Sequence, residues 1–78
     1  MDLNHCNYRF TTQSFEDGQQ GCIGLDLYRT KDGLDVHVGR ITFWDADGQF
    51  SADCFNMELP LDVLEKFIAE ARQTILIE

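Results

Sequence analysis

Histidine and cysteine side chains are the residues of this chain best suited to bind a transition metal. The chain contains five of them, which are His5, Cys6, Cys22, His37 and Cys54. Structural zinc sites are usually built from closely spaced ligand pairs such as C-x₂-C, and no such pair is present. His5 and Cys6 are adjacent, but neighbouring side chains of an extended segment point in opposite directions. We therefore predict ordinary thiols, with no metal site and no cofactor.

The segment Asp45-Ala46-Asp47-Gly48 contains part of the pattern of an EF-hand calcium loop. Aligned on Gly48, that loop would need an oxygen ligand at Phe43 and a glutamate at Cys54, and neither residue is suitable. An Asp-Gly pair between two apolar runs is instead typical of a hairpin turn. We predict a turn at this position.

His37 comes nearest to an acid–base centre. Asp35 lies two residues before it, and Asp26 and Asp53 are expected on neighbouring strands. Carboxylates around an imidazole favour its protonated form, which suits a pH-responsive contact better than a general base. A substrate pocket of roughly 300 Å³ or more is also hard to enclose with so few elements. We predict a protein without catalytic residues, which is not an enzyme.

Fourteen acidic residues outnumber six basic ones, which gives a net charge of −8. Nucleic-acid binding requires basic side chains that neutralise phosphates, so the charge disfavours a nucleic-acid partner and an anionic membrane surface alike. Opposite charge accelerates the encounter of two proteins. The composition is therefore compatible with a basic protein as partner.

The first six residues contain neither a basic residue nor an apolar run, so we predict no secretory signal. No stretch approaches the roughly 18 apolar residues that a membrane span needs. Three cysteines without a repeated spacing indicate reduced thiols rather than a disulfide framework. We expect a cytoplasmic protein with no membrane partner.

Three turn signals, each containing Asp-Gly, divide the first sixty residues at 16–18, 31–33 and 45–48. Between them apolar and polar residues alternate, which predicts half-buried strands over about 8–15, 22–30, 34–44 and 49–58. The alternation changes phase at Gly39, and this predicts a β-bulge in the third of these strands.

Pro60 is suited to the first turn of a helix, which we predict over about 60–74. At 100° per residue its apolar arc consists of Leu61, Leu64, Phe67, Ile68, Ala71 and Ile75. The predicted fold is one α+β domain over residues 1–78. It is a four-stranded antiparallel β-meander (β-β-β-β-α) with the amphipathic helix packed on one face.

A single helix covers only one face of such a sheet. The alternation assigns a candidate partner-binding surface to the uncovered face, formed by Asp26, Tyr28, Asp35, His37 and Asp53. The sequence identifies no specific activity. Our leading hypothesis is a non-catalytic, acidic protein-interaction module that acts through this face.

Leu76 and Ile77 depart from the apolar arc of the helix, so the tail that begins at Ile75 is not expected to continue the docked helix. Ile75, Leu76 and Ile77 are therefore a candidate for self-association, and the small size of the domain also favours a homodimer. The alternative function is binding of single-stranded nucleic acid. Four strands followed by one helix resemble the topology of the positive-cofactor coactivators, and exposed aromatic residues on an open sheet can stack bases. The net charge of −8 argues against this alternative.

Overall fold

A computed structural model describes residues 1–46, 48–55 and 58–75 of the chain. Its elements are β1 (Asp2–His5), β2 (Tyr8–Asp17), β3 (Cys22–Lys31), β4 (Leu34–Trp44), β5 (Gln49–Cys54) and α1 (Leu61–Thr74). Each strand pairs antiparallel with the next, and the order across the sheet is β1-β2-β3-β4-β5. The predicted α+β class, with an antiparallel sheet and a C-terminal helix, is confirmed.

The prediction of four strands is wrong, because a fifth strand, β1, precedes the others. Cys6 and Asn7 form a two-residue turn between His5 and Tyr8, which pair with each other. Both turn residues have positive φ, 49° and 70°, as a type I′ hairpin turn requires. The turn contains no glycine, so the residue type that usually marks such a conformation is missing. The final strand is also shorter than predicted, since β5 ends at Cys54.

The predicted β-bulge is present next to Gly39. Leu27 pairs with Gly39, whereas the following residue, Tyr28, pairs with His37. Val38 is therefore an extra residue in β4, and its side chain is fully buried. The bulge allows β4 to place apolar residues on the same face of the sheet before and after it.

The hydrophobic core lies between the sheet and α1. Its buried members are Phe10, Leu25, Leu27, Val38, Ile41, Phe43, Val63, Phe67, Ala71 and Ile75. The helix contacts the sheet through residues spaced by four, starting at Val63, which the predicted arc did not include. Leu61 and Ile68, which that arc placed in the core, are 67% and 38% exposed. The apolar arc is thus wider than the strip of helix that the sheet covers.

Ile75 differs from its predicted role in self-association. Its side chain is 3% exposed and belongs to the core, and its N–H donates a 2.9 Å hydrogen bond to the carbonyl oxygen of Ala71. Ile75 thus continues the buried series of Val63, Phe67 and Ala71, because residues spaced by four lie on nearly the same side of a helix. The other two residues of the predicted tail, Leu76 and Ile77, lie outside the described residues.

An Ile75→Ala substitution tests this assignment to the core. We expect it to lower the free energy of unfolding by about 2 kcal/mol, because it removes buried methyl groups at the end of a helix. Ile68→Ala is the matched control. Because Ile68 is partly exposed, this variant should lose less than half as much free energy of unfolding as Ile75→Ala. Urea unfolding monitored by circular dichroism measures both, and equal losses would contradict the assignment.

Candidate functional site

The face of the sheet opposite α1, here called the outer face, is the candidate site. The helix occupies the other side, where Val63 and Phe67 join Leu27 and Val38 in the core. Alternate residues of the strands therefore direct their side chains away from the helix. Within the part of the chain that the structure describes, no second helix covers this face.

Asp26, in the middle of β3, is the centre of a charged cluster on the outer face. The Nε of Arg40, directly across the β3–β4 ladder, donates a 2.7 Å hydrogen bond to Oδ1 of Asp26. A second guanidinium nitrogen lies 3.3 Å from Oδ2, and Nε2 of His37 lies 2.9 Å from Oδ1. The hydrogen bond to Asp26 raises the pKa of Arg40, because it stabilises the charged guanidinium.

The bulge in β4 determines which residues join this cluster. Without a bulge, His37 and Arg40 would be three positions apart in the ladder and would project to opposite faces of the sheet. With it, His37 is opposite Tyr28 and Arg40 is opposite Asp26. Both side chains therefore reach the same carboxylate from one strand.

A close contact between Phe15 and Gly24 supports one side of the cluster. The two residues are paired across β2 and β3, and the ring of Phe15 lies over the glycine. The guanidinium carbon of Arg40 is 4.3 Å from the centre of that ring, within the range of a cation–π interaction. Gly24 thus provides the space in which an aromatic ring can hold Arg40 against Asp26.

Aromatic stacking extends the cluster in the opposite direction. The rings of Tyr28 and His37 are stacked with centroids 4.9 Å apart. The ring of Phe55, just after β5, is tilted against His37 at 4.7 Å, and its side chain is partly exposed. We call the connected set Phe15, Asp26, Tyr28, His37, Arg40 and Phe55 the outer-face network.

The structure changes the role of one predicted surface residue and locates the others. Asp26 was expected to be exposed, but it is 6% exposed and its charge is paired within the protein. Tyr28 and His37 belong to the outer-face network. Asp35 is exposed and accepts a hydrogen bond from Thr30. Asp53 is also exposed, and it lies opposite Arg40 in the backbone register of β4 and β5.

Phe15 and Arg40 are functional candidates that the sequence interpretation did not include. For Arg40 a signal existed, because the change of phase at Gly39 moves it to the outer face. For Phe15 the signal would have been the glycine opposite it, which depends on the register between β2 and β3.

Residues 1–46, 48–55 and 58–75 contain no group of three His, Cys, Asp or Glu side chains arranged to hold a metal ion. All three cysteines are free thiols, and Cys22 is buried whereas Cys6 and Cys54 are exposed. No helix within these ranges is long and apolar enough to span a membrane.

Searches against protein-family models, curated proteins and solved structures found no match to this chain.

Proposed function

We propose that this protein acts by binding rather than by catalysis, as an acidic interaction module whose outer face docks on a basic protein. The observation that carries the proposal is the outer-face network, which is already assembled in the free chain. Aromatic residues and arginine are enriched among the residues that dominate binding energy. A network held by internal hydrogen bonds loses little conformational entropy when a partner docks on it.

The charges of the outer face divide into two roles. The charge of Asp26 is paired with Arg40, and His37 contacts the same carboxylate, so Asp26 supports the face rather than contacting a partner. Asp35 and Asp53 are exposed at the margins of the network. Exposed charges at the rim of an interface mainly increase the association rate and make it dependent on salt.

The exposed aromatic rings supply the apolar part of the proposed contact. Tyr28 is half-buried and Phe55 is 41% exposed, and each contacts the ring of His37. Large rings that are fixed in position and still partly accessible bury considerable area at low entropic cost. We place the interaction in the cytoplasm, where the three free thiols would remain reduced.

The second candidate is binding of single-stranded nucleic acid. The same stacked rings of Tyr28, His37 and Phe55 on an open sheet favour it, because such rings can stack on unpaired bases. The net charge of −8 weighs against it, since phosphates would meet a surplus of carboxylates. A titration of a labelled oligonucleotide at low salt separates the two candidates.

We test the proposal by affinity capture from cells, with the wild-type protein and two variants as bait, followed by titration of the captured partner. Tyr28→Ala should weaken binding about tenfold or more, because it removes a central ring of the face. Asp35→Asn should slow association a few-fold and reduce its salt dependence, with little change in dissociation.

Leu34→Ser is the matched control for these variants. Leu34 is 69% exposed at the start of β4 and does not belong to the outer-face network, so its substitution should leave binding unchanged. Equal retention of the partner by wild type and Tyr28→Ala would refute a role for the outer face. Tight oligonucleotide binding at low salt would favour the second candidate instead.

A further inference from the structure

We propose that the free edge of β5 pairs with β5 of a second copy, so that two sheets join into one continuous sheet around a two-fold axis. This interface runs along the edge of the sheet and includes no residue of the outer-face network, so it does not depend on which partner that network binds. The inference rests on the direction of backbone groups in β5, on the apolar surface beside it and on its charges.

Among the residues that the structure describes, no strand pairs with the side of β5 that faces away from β4. The N–H of Phe55 donates a 3.2 Å hydrogen bond to the carbonyl oxygen of Val38 in β4. Because backbone groups of a strand point alternately to its two sides, the N–H groups of Phe50, Ala52 and Cys54 face away from β4. Five of the six residues of β5 are exposed. The strand is therefore a template for one further antiparallel strand.

An apolar groove runs beside this edge on the helix side of the sheet. Ala52 and Cys54 are exposed although their side chains point to the helix side, because α1 lies nearer to the centre of the sheet. The groove has a volume of about 180 Å³ and is lined in part by Phe50 and Ile68. An added strand would bring alternate side chains over this groove and cover it.

A second copy of β5 fits the edge in one favourable register. With the axis at Ala52, Phe50 lies opposite Cys54 of the second copy, which sets a large side chain beside a small one. Ser51 then lies opposite Asp53 of the second copy, so a hydroxyl can donate to a carboxylate. This register uses all three outward N–H groups of each strand, for up to about six hydrogen bonds. It also separates the two Asp53 side chains, whose direct apposition would be unfavourable.

The charge distribution selects a second copy over a basic partner at this edge. Among the residues of β5 and the groove, Asp53 and Arg72 are the charged ones, and their charges cancel. A chain with a net charge of −8 repels its own copy least where the local charge is zero. A basic protein would instead be attracted to acidic parts of the surface. This edge is therefore suited to self-association.

Sedimentation equilibrium of the wild-type protein from micromolar to millimolar concentration tests the inference. We expect a reversible rise from the monomer mass to twice that mass. Ala52→Pro should weaken the dimer about thirtyfold or more, because proline removes the outward N–H of Ala52 in both copies. Hydrogen exchange should show the amides of Phe50, Ala52 and Cys54 becoming protected as the concentration rises.

Ala52→Pro should leave the monomer folded, because edge strands tolerate proline where the N–H faces solvent. Unchanged circular dichroism verifies this, and Leu34→Ser serves as a control that removes an exposed apolar side chain elsewhere. A monomer at every concentration would overturn the proposal. A dimer whose amides in β5 gain no protection, or one that forms equally with Ala52→Pro in its folded state, would also overturn it.

Discussion

A Gly24→Ala variant is expected to lose about 3 kcal/mol of the free energy of unfolding. A Cβ atom at position 24 would overlap both the ring of Phe15 and the carbonyl oxygen of Ile41. The ring can rotate away, but the backbone oxygen belongs to the β3–β4 ladder and can move only if the ladder opens. Urea or thermal unfolding measures the loss.

Gly18→Ala is the matched control for Gly24→Ala. It makes the same chemical change in a turn where an added Cβ would meet no atom within 4 Å, so its effect on stability should be small. The double variant Phe15→Ala/Gly24→Ala should remain destabilised, because the overlap with Ile41 persists when the ring is absent. Full stability of Gly24→Ala would show that β3 and β4 are not as closely apposed as described.

Asp26→Asn is expected to cost about 2 to 3 kcal/mol of the free energy of unfolding. The substitution leaves the shape of the residue nearly unchanged but removes a buried negative charge that accepts hydrogen bonds from Arg40 and His37. Breaking one side of a buried ion pair costs roughly 3–5 kcal/mol, and the value is reduced here because Arg40 is 41% exposed. Chemical unfolding at neutral pH gives the difference.

Asp53→Asn makes the same change on the neighbouring strand, opposite the same arginine. Because Asp53 is exposed, we expect Asp53→Asn to lower the free energy of unfolding by less than about 0.5 kcal/mol. A double-mutant cycle with Arg40→Gln should give a clear coupling energy for Asp26 and almost none for Asp53. Similar losses for the two asparagine variants would mean that burial does not distinguish the two carboxylates, and the central role of Asp26 would fail.

Local patterns were sufficient to predict the class of this fold. The alternation of residues located the long strands, and the change of phase at Gly39 located the bulge, because both are properties of adjacent residues. The Asp32-Gly33 turn was visible for the same reason, with φ of 54° and 79°. The strand β1 was missed because its turn uses Cys6 and Asn7, two residues that seldom adopt positive φ together.

The candidate site was less accessible to sequence reasoning, because it depends on register. Asp26 alternates with apolar residues like any exposed strand residue, and only its pairing with Arg40 explains why it is buried. The side of the helix that contacts the sheet was misjudged for a related reason. The apolar arc is broad enough for several orientations, and tertiary packing selects the one that buries Val63 and leaves Leu61 exposed.

The order of strands in the sheet matches their order in the chain, and this has a consequence for how the protein is made. Each hairpin can form as soon as its two strands have left the ribosome, so contacts of short sequence separation dominate the early steps of folding. The helix comes after the sheet, and Phe10, Leu27 and Val38 lack their cover until residues 61–74 have been synthesised. During that interval the nascent sheet displays an apolar face on which a chaperone can bind.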